Sequence, residues 1–145
     1  MDLLKNIKVT TALDYASGTA TRNGATLDMK GYEGVLMIVK FATIAASAAG
    51  DIHAEQGAES DLSDAADLEG TKIAVADDDD NQIFIIDLCK PQERYVRVVV
   101  TKDGSNAMAE DAVYIQYGAK KYPIDNNVTD EVTVETHVSP DEGTK

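Results

Sequence analysis

Apolar and polar residues alternate along most of this chain with a period of two, the spacing of a strand with one buried face. Ile7 to Tyr15 alternates loosely through Ile7, Val9, Thr11, Leu13 and Tyr15. Thr71 to Ala76, Gln82 to Leu88, Tyr95 to Thr101 and Ala112 to Tyr117 are strand-like, and Asp51 to Gln56 more weakly so. Glu33 to Ala42 holds the apolar run Val35-Leu36-Met37-Ile38-Val39, which suits a strand covered on both faces. Ala25 to Met29 is a short strand behind Asn23-Gly24, a dipeptide suited to positive φ in a tight turn. No stretch predicts a long helix.

The segments between these runs carry turn chemistry. Ser60 to Leu68 predicts a short helix or turn, with Ser60 or Asp61 as N-cap and Gly70 as the stop. Ala42 to Gly50 is alanine-rich but has no amphipathic stripe, so it reads as a long flexible loop. Asp103-Gly104 marks the turn after the Tyr95 strand. About eight short strands with regular turn signals predict an all-β protein, a jelly-roll-like β-sandwich with an extended C-terminal arm. Residues 1–122 form the expected sandwich domain and residues 123–145 an acidic tail or arm. Within that tail Val132, Val134, Thr136 and Val138 alternate with Glu131, Thr133, Glu135 and His137. Such a lone segment is disordered by itself, or joins the open edge of a neighbouring sheet.

Charge narrows the partners. The 145 residues hold 26 acids and 13 bases, a net charge of −13. A field of that sign repels phosphate backbones, and no concentrated basic face is visible in the sequence to offset it, which argues against nucleic acid. The longest apolar-leaning stretch, Val35 to Ala49, is interrupted by Lys40 and Thr43 and falls short of the ~20 residues a membrane helix needs. The N-terminal residues lack a basic region followed by an apolar run, so no signal peptide and no membrane association are expected. Cys89 is alone, which excludes an intramolecular disulfide and fits synthesis in a reducing compartment.

Asp51 to Asp87 concentrates twelve carboxylates against one lysine, Lys72, in loops between apolar runs. Asp77-Asp78-Asp79-Asp80-Asn81 invites a calcium reading, but an EF-hand spacing from Asp77 puts Gln82 where glycine belongs and Leu88 where the bidentate glutamate belongs. The plainer reading is a solvated loop. His53 and His137 are the only histidines; with His137 in the tail, His53 stands without a partner. No G-x-S-x-G occurs, and no glycine spacing matches a phosphate cradle. The sequence therefore predicts no enzyme, no metal and no cofactor. The bases are more telling: Arg94, Arg97, Lys120 and Lys121 fall near Tyr95, Tyr114, Tyr117 and Tyr122. An ordinary solvated sheet face explains them, and so does a contact patch, since Tyr and Arg are favoured at protein interfaces. The candidate docking residues are Arg94, Arg97, Tyr114, Lys120, Lys121 and Tyr122.

Several sequence words occur in a telling order: Asp28-Met29-Lys30-Gly31-Tyr32-Glu33-Gly34-Val35, Ser63 to Thr71, Ala76 to Asn81, Lys90-Pro91-Gln92-Glu93-Arg94-Tyr95-Val96-Arg97, and Ile115-Gln116-Tyr117-Gly118-Ala119-Lys120-Lys121. In that order, over about Thr10 to Pro123, they resemble a family of small tailed-bacteriophage head proteins, some of which are capsid cement or decoration proteins. The resemblance implies a structural protein made in the host cytoplasm that binds the outside of the phage head and bridges major capsid subunits. Its implied partners are the major capsid protein and itself, with a homodimer preferred over a trimer. Members of that family end soon after the Tyr117-Gly118 word, so the resemblance implies nothing about the tail. The alternative is a virion-surface module that holds a glycan or host receptor, with calcium at Asp77 to Asp80. The absence of Trp, a frequent sugar platform, weighs against it.

Overall fold

The computed structural model describes residues 2–144. After a single 3-10 turn at Leu3–Lys5, ten strands follow: β1 (Lys8–Gly18), β2 (Arg22–Asn23), β3 (Leu27–Asp28), β4 (Gly34–Ile44), β5 (Gly50–Gly57), β6 (Ala66–Asp67), β7 (Ile73–Val75), β8 (Ile83–Cys89), β9 (Tyr95–Lys102) and β10 (Met108–Tyr117). One sheet has the order β1-β10-β4-β8. The other runs β2-β9-β5-β6, with β3 also on β9 and β7 also on β5. All pairings are antiparallel. Taking β2 with β3 and β6 with β7 as interrupted single strands leaves eight positions, four to a sheet. The chain changes sheet at every step except from β5 to β6, which is jelly-roll connectivity. The expected all-β sandwich is the observed fold.

The core forms where alternation meets the other sheet. Val35, Met37, Val39 and Phe41 of β4 point inward and are fully buried, facing Val96, Val98 and Val100 of β9 and Ile52 and Ala54 of β5. Phe41 packs edge-on against Phe84 of β8, ring centres 5.4 Å apart. The outer face of the β1-β10-β4-β8 sheet is less well covered. Ile83, Ile85 and Val113 are exposed there, so the apolar run of β4 has one dry face and one half-buried one.

β10 differs from the other core strands because its inward row is partly polar. Tyr114 is 1% exposed; its hydroxyl donates to the Ala25 carbonyl at 2.8 Å and accepts the Val98 N–H at 3.0 Å. Gln116 donates to the Asp28 carbonyl at 2.9 Å. Glu110, fully buried, accepts from Arg22 Nη1 at 2.9 Å and lies 2.9 Å from Lys102 Nζ. Lys102 directs its ammonium at the Gly18 and Met108 carbonyls, so its contact with Glu110 Oε2 is an ion pair without hydrogen-bond alignment. Each of these side chains crosses the sandwich and holds β2, β3 or β9 in place.

Two local expectations are corrected and a third is resolved between its alternatives. Gly24 does not serve positive φ: a Cβ there would lie 2.6 Å from the Tyr114 hydroxyl, so glycine is needed for close approach. Of the short helix or turn expected over Ser60 to Leu68, the structure has the turn, followed by β6, because local carboxylates capture the backbone N–H groups. Asp61 accepts from Ser63 N–H, and Asp64 accepts from Ala58 and Glu59 N–H. The loop predicted over Ala42 to Gly50 is shorter, since β4 runs on to Ile44 and Ala48 is buried in the core.

The start of the C-terminal segment docks on β1. Asn126 is buried, donating to the Leu4 and Ile7 carbonyls at 2.7 Å and accepting the Val9 N–H at 2.7 Å. Glu131 Oε1 accepts the Thr11 N–H at 3.2 Å, and Val128 and Val132 form an isolated bridge. Beyond Val132 the described residues pair with no strand.

Tyr114→Phe strands the Val98 N–H and the Ala25 carbonyl in the core, and each unsatisfied buried group costs about 1–3 kcal/mol. Denaturant unfolding is expected to show a loss in that range or up to twice it. Glu110→Gln leaves Lys102 buried without its counter-charge, with an expected loss of about 3–5 kcal/mol. The double variant Glu110→Leu/Lys102→Met, which removes both charges, is expected to lose less than Glu110→Gln.

Candidate interface at the basic end of the sandwich

Jelly-roll connectivity sorts the loops between two ends. At one end lie the β3–β4 loop, the acidic β5–β6 loop with Glu59, Asp61 and Asp64, the β8–β9 loop and the segment leaving β10. The bases gather on the side away from the β5–β6 loop. Two adjoining open hollows occur there, with volumes of about 650 and 570 Å³, both bordered by Lys30, Gly31, Tyr32 and Lys120. Lys90 and Arg94 complete the basic lining of the first, and Lys8 and Lys121 that of the second. Against these six bases the lining acids are Glu33, Glu93 and Asp125. In a chain of net charge −13 this is a local reversal of sign.

The backbone there is fixed by a few specific bonds. Lys120 N–H donates to the Gly31 carbonyl at 2.9 Å, Lys90 N–H to Glu33 at 2.7 Å, and Met29 N–H to Arg94 at 2.9 Å. Gly118 turns the chain out of β10 with φ of 63°, and a Cβ there would meet Glu33 Cβ at 2.5 Å. Burial raises the pKa of Tyr32 at the shared border of the two hollows. Tyr117 donates to Asp87 Oδ1 at 2.6 Å, and that bond pushes its hydroxyl pKa up.

The candidate docking residues distribute unevenly. Arg94, Lys120 and Lys121 line the basic hollows. Tyr122, between Lys121 and Pro123 on the same segment, is 55% exposed. Arg94 is already engaged: it grips both Asp28 carboxylate oxygens at 2.9 and 2.7 Å and packs over the Tyr95 ring. That grip holds the Asp28 pKa below the ordinary carboxylate value. Arg97 lines neither hollow and binds Glu55 Oε2 at 2.6 Å on the outer face of the β9-containing sheet. Tyr114 is a correction, because it is buried between the sheets and cannot reach a partner. Its place in the inward row with Ala112 and Gln116 was the available signal. Sequence reasoning missed Lys8, Lys30 and Lys90, which the topology alone brings to this end.

The opposite end is acidic, and its carboxylates have structural duties. Asp77 accepts the Ser47 N–H at 2.6 Å, Asp80 the Ile44 N–H at 2.8 Å, and Asp79 the Ala76 N–H at 2.8 Å. Asp103 accepts from Ser105, Asn106 and Ala49. These carboxylates tie three loops together by receiving backbone donors, and among the described residues they do not converge as a group of three or more ligand atoms. His53, expected to stand without a partner, also has close neighbours: its Nδ1 is 2.9 Å from Asp51, and Glu55 and Asp67 face its Nε2.

By its connectivity the chain is a jelly-roll β-sandwich. No family model matches the sequence, and no curated protein matches it either. Among solved structures, the fold is similar to that of the PBSX exported protein XepA. The TM-score is 0.55 at 13% identity, over 94% of this chain and 45% of that one. The chain thus spans less than half the length of that structure.

Backbone N–H groups lower the pKa values of Asp61, Asp64 and Asp103 below the ordinary value of about 4, led by Ser63, Ala58 and Ser105 respectively. A depressed folded pKa contributes stability that is complete above the unfolded value and is lost as pH falls through the folded one. The stability advantage of the native chain over Asp103→Ala is therefore expected to be constant from pH 7 to about 5 and to shrink below about 4. Paired urea titrations at each pH measure it and cancel the change in overall charge repulsion.

Proposed function

We propose that this chain is a structural component of a tailed-phage virion, a cement or decoration protein on the outside of the head. In this reading it docks through its basic end and bridges major capsid subunits. The observation that carries the reading is the polarity of the molecule. Six bases border two adjoining hollows at one end of a strongly acidic sandwich, while the acids at the other end are held in tight turns. One end suits an acidic partner surface and the other suits solvent. The order of sequence words shared with small phage head proteins supports the same reading. So does the jelly-roll likeness to a protein whose name marks it as exported, since a virion component works outside the cell that makes it.

The physics requires no catalysis. A protein that binds the assembled lattice and not free subunits stabilises the lattice by mass action, by about 2.7 kcal/mol per site at a hundredfold excess over Kd. An interface of about 800 Å² per partner suffices, and bridging two subunits adds avidity without a new contact. Lys30, Lys120, Lys121 and Tyr122 are the docking residues best placed for this; Arg94 shapes the rim through Asp28. Self-association, with a homodimer preferred, would use the β8 edge, where Ile83 and Ile85 are exposed. The calcium-dependent surface-module reading is not favoured, because the carboxylates of Asp77 to Asp80 do not converge on a common point.

Co-sedimentation with assembled shells of a tailed-phage major capsid protein from the same source tests the docking face. Lys120→Glu/Lys121→Glu is expected to weaken binding by at least about tenfold, with a steep salt dependence in the native chain. Asp78→Asn at the far end is expected to leave binding unchanged. Equal binding by all three proteins would reject the basic end as the docking face.

A further inference from the structure

On β5 the outward positions read Asp51, His53 and Glu55, while Ile52 and Ala54 between them are fully buried. Asp67 of β6 pairs opposite Glu55, and the Leu68 N–H to Ala54 carbonyl bond at 2.9 Å fixes that register. The result is one imidazole and three carboxylates on one patch of sheet surface.

All but the exposed Asp67 are oriented by a partner on the far side. Asp51 Oδ1 lies 2.9 Å from His53 Nδ1, placed to accept a hydrogen bond from an Nδ1–H, and Lys72 Nζ lies 3.6 Å from the other Asp51 oxygen. Arg97 Nε occupies Glu55 Oε2 at 2.6 Å. What remains free is His53 Nε2, Glu55 Oε1 and Asp67 Oδ1. Nε2 is 3.8 Å from the Glu55 oxygen and 3.3 Å from the Asp67 oxygen, and all three atoms lie within 4.8 Å of one another. In the tautomer that carries its proton on Nδ1, toward Asp51, Nε2 presents a lone pair and the three converging atoms are all acceptors.

We propose that His53, Glu55 and Asp67 bind a divalent first-row transition ion, Zn²⁺ being the probe of choice. Metal–ligand bonds of about 2.0–2.2 Å at a tetrahedral angle place ligand atoms about 3.3–3.6 Å apart, close to the two observed separations from Nε2. The imidazole selects against Ca²⁺ and Mg²⁺, which take oxygen ligands. Asp51 on the far ring nitrogen reproduces the carboxylate–histidine–metal arrangement that orients a ligand and raises its basicity. Local charge agrees: Asp51, Glu55 and Asp67 outnumber Arg97 and Lys72, leaving an excess negative charge for a cation to neutralise. Asp67 is 77% exposed on its side-chain atoms, so the ion enters from solvent and a water completes its shell. The ion would clamp β6 to β5, next to the turns that carry Asp61 and Asp64.

Zinc binding by the full chain, read by competition with a chromophoric chelator and by NMR of the two histidine rings, decides the matter. The expected result is one equivalent bound, with the ring signals of His53 moving and those of His137 unmoved. His53→Ala abolishes that binding, Asp67→Asn weakens it, Asp51→Asn weakens it by about 10–100-fold, and His137→Ala leaves it intact. Asp67 is exposed, so Asp67→Asn remains decisive should His53→Ala fold poorly. No uptake by the native chain, or undiminished uptake by Asp67→Asn, would reduce the cluster to an ordinary ion pair and overturn the proposal.

Discussion

The architecture depends on one strand that carries polar side chains into the core. β10 lies in the middle of its sheet, between β1 and β4, and its inward row includes Glu110, Tyr114 and Gln116. An apolar row would have been simpler to bury, but it would not say where the interrupted strand of β2 and β3 must lie. That strand makes only two ladder pairs on each side of the Gly24 region, too few to fix its place alone. Glu110 holds Arg22, Tyr114 holds Ala25, and Gln116 holds Asp28. Buried polar groups are costly unless paired, so any other placement of this segment strands three groups at once. The same bonds set the position of the β3–β4 loop, which supplies Lys30, Gly31 and Tyr32 to the basic end.

From that placement the division of charge follows. Jelly-roll crossings send alternate loops to opposite ends, so Lys30, Lys90, Arg94, Lys120 and Lys121 gather at one end, which they share with the acidic β5–β6 loop, while Asp77 to Asp80 and Asp103 lie at the other. The acidic end is stiffened by carboxylates that accept backbone N–H groups, a local use of charge that needs no partner. The basic end has several lysines without such duties around shallow hollows. A structural protein on a shell needs that combination: an end that docks, and an end that remains hydrated and repels its neighbours' free copies in solution.

The strands were legible because a half-buried strand writes its own alternation, and eight topological positions were visible where ten segments form. Other features were hidden for physical reasons. Ser60 to Leu68 reads as helix or turn by its caps and alanines, and Asp61 and Asp64 decide for the turn by accepting the loop's own donors. Tyr114 looks like an interface residue by type, while its phase on β10 puts it inside. His53 seemed alone because its partners are Asp51 and Glu55 two residues away on a strand whose pattern was weak, together with Asp67 across a pairing the sequence does not announce. The basic end was half visible: Arg94, Lys120 and Lys121 stand out in sequence, but Lys8, Lys30 and Lys90 reach them only through the fold.

The proposed role as a stoichiometric part of a phage shell is tested most directly by a copy number. Quantitative mass spectrometry of purified virions, taken against the major capsid protein, gives it. The account expects a ratio of one-to-one or a simple fraction set by lattice symmetry. Absence of the chain from the particles would contradict it.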